Sequence, residues 1–261
     1  FLAPLTDAHP MALHAPEEDY LSLLPQLSAF ILVIAFPDSQ RLWRLGRGDA
    51  ELTETERQRL MARYRRSIQR HLHFHDSDRT YLAKNASHAT LVATLQQAFP
   101  DARFIACVRD PAAVVSSQLS SLRPGLEALH GRIHQDELTR RMLRQLHFGY
   151  ASLFSVLPQR APERAVYIPL PAQRSGLADT IRDLYTALSL PLASGFAAHL
   201  DTLDQQARVH ASRHRHALAD SGLDSDTVTN QFADIRAAFD CNQTRAVRAS
   251  DTPPLEPRRR V

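Results

Sequence analysis

An arginine stands where an apolar segment of this sequence ends. Residues 104–108, FIACV, run directly into Arg109, Asp110 and Pro111. The pattern predicts a buried strand followed by a helix, with Asp110 as its N-cap and Pro111 in its first turn. Backbone N–H groups at a helix start attract anions, and a guanidinium matches phosphate oxygens. With Ser117 about two turns into the helix, these residues predict an anion site; a structural pair between Arg109 and Asp110 is the alternative.

A second candidate site is the segment KNASH, from Lys84 to His88. The preceding TYLA predicts a strand that ends at Lys84, and the following residues predict a helix that begins near His88. A lysine there would neutralise charge on a leaving oxygen, and a histidine with a lowered pKa would accept a proton from a hydroxyl. The alternative is that Ser87 caps the helix and His88 is an ordinary polar residue of its first turn.

Three weaker signals have structural alternatives. Glu17 and Glu18 open the segment EEDYLSLL, where Glu18 would serve as a base or the pair would stabilise a helix start. His71, His73 and His75 would align on one face of a strand as metal ligands, or mark a solvated end of an element. Residues 213–215, RHR, would contact a nucleotide or form a basic loop.

Strand and helix patterns alternate along the 261 residues, with apolar runs in FIACV and AVYIPL. This alternation predicts an α/β protein with a parallel sheet, whose ligands bind at the carboxyl ends of the strands. Arginines are spread along the chain and the net charge is only +3, which favours a small anionic ligand and argues against nucleic acid. The apolar run LSAFILVIAF is about half the length of a membrane span, and no signal peptide is visible, so we expect a cytoplasmic protein with a reduced Cys107 in its core.

The central block of the sequence resembles the sulfotransferase family, which uses 3′-phosphoadenosine-5′-phosphosulfate. The resemblance is carried by TYLAKNASHATLVATLQQAFPDARFIACVRDPAAVVSSQLSSL, where the family pattern has Lys-x-Pro-x-His, a helix, FPDARFI, Arg-(Asp/Asn)-Pro and a serine eight residues after that arginine. Two further segments resemble the bacterial-type branch of the family: an upstream one, HPMALHAPEEDYLSLL, and a C-terminal one, RHRHALADSGLDSDTV. The resemblance therefore extends over roughly residues 9 to 240.

The resemblance implies a P-loop NTPase-like parallel sheet flanked by helices. It implies one domain over residues 1–248 with a helical insertion at about 16–72, and we expect a disordered tail over 249–261. It further implies phosphoadenosine phosphosulfate as co-substrate, no metal, and a small-molecule or lipid-like acceptor with a hydroxyl or amine group.

The family's functional residues carry over to four positions of this sequence. Arg109 and Ser117 match the pair that holds the 3′-phosphate, His88 matches the proposed general base, and Lys84 matches the lysine that steadies the phosphosulfate. The sequence departs from the family at Ala86, where proline is usual.

A second departure is that no loop like Arg-Ser-Gly-Thr-Thr, which cradles the 5′-phosphosulfate, occurs in the sequence. The pair Gly46 and Gly48 lacks the serine and threonine of that loop. We therefore expect an N-terminally truncated, inactive sulfotransferase. The alternatives are a non-catalytic nucleotide- or ligand-binding module of the same fold and a P-loop kinase-like phosphotransferase.

Overall fold

The computed structural model describes residues 18–76, 78–131, 135–209, 218 and 223–256. These residues form a mixed α/β structure that is mostly helical and contains a sheet of three strands. The α-helices are α1 (Gln40–Leu45), α2 (Gly48–Glu51), α3 (Glu54–His75), α4 (Val92–Ala98), α5 (Pro111–His130), α6 (Gln135–Arg160), α7 (Leu170–Ser175), α8 (Leu177–Ala187), α9 (Ser194–Val209), α10 (Ser225–Gln231) and α11 (Ala233–Ala238). The strands are β1 (Phe104–Val108), β2 (Ala165–Pro169) and β3 (Val247–Arg248).

The chain divides into two compact units. The first contains the described residues up to Pro100 together with Leu119–Gly149, and the second contains Asp101–Gln118 and the described residues from Tyr150 onward. The single domain predicted for residues 1–248 stays a prediction.

The first unit is built from helices. In the sequence, Thr53 followed three residues later by Glu56 predicts a capping box, and the longest helix begins there. The Thr53 side chain accepts a hydrogen bond from the backbone N–H of Glu56, and the Glu56 carboxylate accepts one from the N–H of Thr53. This reciprocal capping box satisfies two N–H groups that a helix start leaves free. Arg44 donates two further bonds to Glu56, which hold the pKa of that carboxyl at about 2. Leu60 and Met61 of α3 are buried.

The first unit also contains the three alternating histidines, for which the sequence predicts either metal ligands on a strand or a solvated end of an element. His71, His73 and His75 lie in α3 rather than in a strand. A helix brings residues four apart onto one face, and the rings of His71 and His75 are 4.4 Å apart, centroid to centroid. Within the described residues, no group of three or more His, Cys, Asp or Glu side chains is arranged to hold a metal ion.

The sheet lies in the second unit and has the order β1-β2-β3. β1 pairs with β2 in parallel, as the sequence predicts, and β2 pairs with β3 antiparallel. All five residues of β2 are buried, which is typical of a strand covered on both faces. Phe154 of α6 stacks on Phe239 at 4.9 Å and contacts Tyr167 of β2, so an aromatic cluster covers the sheet.

The prediction that Cys107 belongs to the core is wrong. Successive side chains of a strand point to opposite faces. Ala106 and Val108 of β1 are buried, whereas Ile105 and Cys107 are exposed. The apolar run therefore marks a strand with one covered face rather than a strand buried on both.

The strand predicted for TYLA is also absent from the described residues. Residues 80–85 have no regular secondary structure, and Leu82 is 82% exposed. Their link to the rest of the unit includes a hydrogen bond from the backbone N–H of Asp19 to the carbonyl of Lys84, at 3.0 Å. A strand needs a ladder of such bonds, so this segment is an extended connection.

The ordered chain extends beyond residue 248, where the sequence predicts a tail. Ala249 is fully buried, and the backbone N–H of Leu255 donates to the carbonyl of Phe154 at 3.0 Å. The short strand β3 pairs with β2 and so holds this segment against the sheet. The proline-rich composition of the segment contains no signal for this pairing, because the pairing depends on a distant strand. Residues 257–261 lie outside the described residues. None of the described helices is both long and apolar enough to cross a membrane, and a cytoplasmic location stays a prediction.

Candidate functional site

The first candidate site is the junction between β1 and α5. Asp110 caps the helix, because its carboxylate oxygen Oδ1 accepts hydrogen bonds from the backbone N–H groups of Ala112 at 3.0 Å and Ala113 at 3.2 Å. The N–H of Val114 bonds to the carbonyl of Asp110, and Pro111 has no N–H. The expected anion site of free backbone N–H groups is therefore occupied by the protein's own carboxylate. Any anion bound here depends on side chains.

Arg109 supplies such a side chain. It is half-buried, and within the described part of the chain no hydrogen bond or ion pair engages its guanidinium. The Arg109–Asp110 pair considered as an alternative is not formed, because Arg236 pairs with the other carboxylate oxygen of Asp110 at 2.9 Å. A half-buried arginine with no carboxylate partner among the described residues is available to bind an anion.

The backbone of Arg109 is held from the opposite side by a tyrosine. The hydroxyl of Tyr150, at the start of the second unit's part of α6, donates to the carbonyl of Arg109 at 2.5 Å. Burial raises the pKa of this phenol, so it remains a donor at any physiological pH. In the sequence, Tyr150 recurs with Leu146 and Leu153 on one apolar stripe of a predicted helix, a pattern that contains no signal for this contact.

Ser117 lies in the second turn of α5 and is half-buried. It belongs to the same unit as Arg109 and to the helix that begins two residues after it. That the two side chains share one phosphate stays a prediction. Ser117 already has a contact in the folded chain, so a bound anion would share or replace it.

The second candidate site lies in the first unit and contains Lys84 and His88. Lys84 is largely exposed and pairs with Glu18, with 3.6 Å between the ammonium nitrogen Nζ and the carboxylate oxygen Oε1. His88 belongs to the 3-10 helix Ala86–Thr90, and only 16% of its side-chain surface is exposed. Burial lowers the pKa of His88, so its imidazole is neutral at pH 7. The sequence predicted this direction from the helix start, whereas the larger cause is burial.

Two residues that sequence reasoning missed surround His88. Asp19 faces it, with 3.8 Å between the carboxylate oxygen Oδ1 and Nε2 of the ring, and the negative charge partly offsets the effect of burial on the pKa of His88. The hydroxyl of Tyr64 donates to the other oxygen of Asp19, and its ring packs edge-on against His88 at 5.4 Å. Burial, followed by this contact with Asp19, raises the pKa of Tyr64. In the sequence, Tyr64 recurs with Leu60 and Ile68 at helical spacing, which predicts only a core residue.

The turn that carries His88 is closed by Asn85. The side-chain oxygen of Asn85 accepts bonds from the backbone N–H of Ser87 at 3.0 Å and from its hydroxyl at 2.6 Å. Ser87 is therefore a donor to the cap rather than the cap itself. This Asn85 cap stabilises the turn although Ala86 replaces the proline of the family pattern.

The glycines at positions 46 and 48 serve packing. A Cβ atom at Gly46 would lie 2.7 Å from the ring of Phe30, and one at Gly48 would lie 2.4 Å from the side chain of Leu91. Both glycines thus permit close approach of neighbouring elements in the first unit, which agrees with the absence of a phosphate-loop sequence around them.

A groove of about 440 Å³ lies between α3 and α4 in the same unit. Its lining includes Arg57 and Arg65 but none of the predicted site residues. Arg57 is bonded to the carbonyl of Leu52 at 2.6 Å, and Arg65 is bonded to the carbonyl of Ala98. Arg65 thus links α3 to α4, whereas Arg57 binds the segment that precedes α3.

The predicted pairs belong to different units: Lys84 and His88 to the first, Arg109 and Ser117 to the second. Glu17 and residues 213–215, which the sequence offered as further candidates, lie outside the described residues. Glu18 is described and is paired with Lys84.

Within the described residues Arg109 is half-buried and unpaired directly after a parallel strand, an arrangement typical of α/β proteins that bind anionic ligands. A comparison with models of protein families identifies which family of such α/β proteins this chain belongs to. The model of the sulfotransferase family matches residues 2–194, which is more than half of the chain and includes all four predicted site residues. The chain therefore belongs to the sulfotransferase family. Searches of curated proteins and of solved structures gave no significant match.

Proposed function

We propose that this protein transfers a sulfuryl group from 3′-phosphoadenosine-5′-phosphosulfate to a hydroxyl or amine of a small-molecule or lipid-like acceptor. The observation that carries the proposal is the half-buried residue Arg109, whose guanidinium has no partner in the described chain while its neighbour Asp110 is paired with Arg236. Membership of the sulfotransferase family supports sulfuryl transfer as the reaction.

Four residues have roles in this proposal. Arg109 and Ser117 bind the 3′-phosphate, the group that distinguishes the sulfate donor from ordinary adenosine phosphates. Lys84 neutralises charge on the departing phosphate. Its contact with Glu18 is an exposed pair, and exposed pairs are weak enough to be exchanged for another anion.

His88 is the proposed base. In the transfer, the acceptor hydroxyl gives its proton to the neutral imidazole and its oxygen forms a bond to sulfur. The bond between sulfur and the 5′-phosphate oxygen breaks, and its electron pair leaves on the phosphate, so adenosine 3′,5′-bisphosphate is the second product. In such an in-line transfer the protein mainly positions groups and neutralises charge. Glu18 is the alternative base.

Nucleotide binding tests the proposal, measured by calorimetry on the 261-residue chain. We expect adenosine 3′,5′-bisphosphate to bind more tightly than AMP, which lacks the 3′-phosphate, and more tightly than ATP, which a kinase-like protein would prefer. Arg109→Ala should weaken bisphosphate binding by about 10- to 100-fold, since a hydrogen bond to a charged group contributes roughly 1.5–3 kcal/mol. It should also remove the preference over AMP.

Arg174→Ala is the matched control, because Arg174 is an exposed arginine of the same unit with no ion pair among the described residues. Its loss should leave the affinity within about twofold, the range expected for a surface substitution. Equal binding of AMP and the bisphosphate by the unmodified chain would refute the proposed donor. A bisphosphate preference without transfer to any acceptor would favour the non-catalytic binding module.

A further inference from the structure

The carboxylate of Asp19 uses its two oxygens differently. Oδ2 accepts the hydroxyl proton of Tyr64. Oδ1 is buried, and within the described part of the chain no hydrogen bond reaches it. This oxygen faces Nε2 of His88 at 3.8 Å. A buried carboxylate oxygen without a hydrogen bond is costly, so its place beside one particular ring nitrogen requires an explanation.

The other charged or titratable groups near this cluster do not replace Asp19. Glu18 pairs with Lys84 on the exposed side. The pKa of Tyr81 is raised by burial and then by the charge of Asp19, so its phenol remains neutral. Tyr64 presents the edge of its ring to His88 and its hydroxyl to Asp19. Asp19 is therefore the anion that acts on the imidazole.

A neutral imidazole carries one proton, on either of its two nitrogens, and its partner selects the nitrogen. A carboxylate beside Nε2 favours the form with the proton on Nε2. The lone pair is then on Nδ1, which becomes the basic atom of the ring. At 3.8 Å the effect is electrostatic rather than that of a formed hydrogen bond.

We propose that Asp19 is a positioning residue that holds the proton of His88 on Nε2 and thereby makes Nδ1 the atom that accepts the acceptor's proton. Tyr64 tunes this action, because the hydrogen bond it donates draws charge density on Asp19 away from the ring. The inference rests on the proposed function for its catalytic meaning. The proton arrangement itself is a property of the folded chain and is measurable without substrate.

The test is ¹⁵N NMR of the full chain labelled in its histidines, with the His88 signals identified by their loss in His88→Gln. We expect the unmodified chain to show a neutral His88 protonated on Nε2. Asp19→Asn keeps an oxygen that can accept from Tyr64 but removes the charge, so the pKa of His88 should fall further and both proton arrangements should become populated. Tyr64→Phe keeps the ring but returns the full charge of Asp19 to the imidazole, so the pKa of His88 should rise.

Opposite shifts from two variants of one cluster would not arise from general loosening of the structure, which shifts a buried histidine toward its ordinary pKa in both. Glu18→Gln is the control, since it removes a neighbouring carboxylate that pairs with Lys84 and should leave the proton on Nε2. Circular dichroism checks that each variant is folded. If Asp19→Asn does not fold, the proton position in the unmodified chain and the shift in Tyr64→Phe decide the matter.

The inference is overturned if His88 of the unmodified chain carries its proton on Nδ1, if a folded Asp19→Asn leaves its titration unchanged, or if Tyr64→Phe lowers the pKa. A change in Glu18→Gln as large as that in Asp19→Asn would overturn it as well. Failure of the proposed function would appear separately, as a missing preference for adenosine 3′,5′-bisphosphate.

Discussion

The hydroxyl of Tyr150 offers a way to test whether the backbone around Arg109 matters for nucleotide binding. Tyr150→Phe removes one oxygen, whose hydrogen bond to the carbonyl of Arg109 is 2.5 Å long, and keeps the ring in its contacts with Phe154 and Phe232. Tyr150 itself is 8% exposed. The variant should therefore lose one hydrogen bond without opening a large cavity.

The magnitude follows from that one bond. A typical intramolecular hydrogen bond contributes about 0.5–1.5 kcal/mol, and a carbonyl left without its partner costs about 1–3 kcal/mol. We expect Tyr150→Phe to lower the free energy of unfolding by about 1.5 kcal/mol, measured by urea denaturation. Because the carbonyl of Arg109 is released, the guanidinium is less well oriented. The affinity for adenosine 3′,5′-bisphosphate should fall by about three- to tenfold, equivalent to roughly 0.7–1.4 kcal/mol.

Tyr167→Phe separates these two effects. The hydroxyl of Tyr167 donates to the carbonyl of Leu153 at 2.9 Å, in the same unit and at full burial. Its loss should reduce stability by a similar amount, about 1 kcal/mol or slightly more, while bisphosphate affinity stays unchanged. If both variants weaken the affinity equally, the effect is general destabilisation and the reasoning about Arg109 is refuted. The same holds if Tyr150→Phe binds the nucleotide as tightly as the unmodified chain.

Three further predictions concern the two thiols and the start of α3. Burial raises the pKa of both thiols, and that of Cys241 to about 11. Because Cys107 is exposed and Cys241 is buried, a thiol reagent should modify Cys107 first in the folded protein. Equal rates of modification, measured by mass spectrometry, would contradict the exposure of Cys107. Thr53→Ala should cost about 1 kcal/mol in urea denaturation because the helix loses its cap, whereas Thr55→Ala, inside the same exposed turn, should change stability by less than about 0.5 kcal/mol. The pKa of the cap's partner Glu56 is lowered to about 2, so its ionised form contributes stability above its ordinary pKa. The melting-temperature difference between the unmodified chain and Glu56→Gln should therefore persist at pH 5 and disappear as the pH falls through 2.

The predictable parts of this fold are those decided within one segment. The capping box at Thr53 and Glu56, the strand at 104–108 and the helix that follows Pro111 all formed where the sequence placed them. Their signals are residues a few positions apart whose side chains bond to the adjacent backbone. The sequence around these elements also resembles the sulfotransferase family, and the match of the family model confirms that prediction.

The candidate site was predictable only in its residue types. The sequence marked Arg109 and His88 as groups able to bind an anion and accept a proton. It contained no signal for the partners that decide whether they do so, because those partners are distant in the chain. Asp110 is paired with Arg236, more than a hundred residues away, and Asp19 and Tyr64 approach His88 from two other helical segments.

The sequence by itself determined the family, the starts of α3 and α5, and the order of the strand and helix that flank Arg109. Only the tertiary structure decided which charges are paired, which face of β1 is exposed, and that the segment before Lys84 is not a strand. The physical reason is that local hydrogen bonding and periodicity depend on neighbouring residues, whereas burial and ion pairing depend on which distant segments come into contact. Because of those distant contacts, Arg109 has no partner among the described residues and His88 has Asp19 beside it, and the proposed chemistry depends on both.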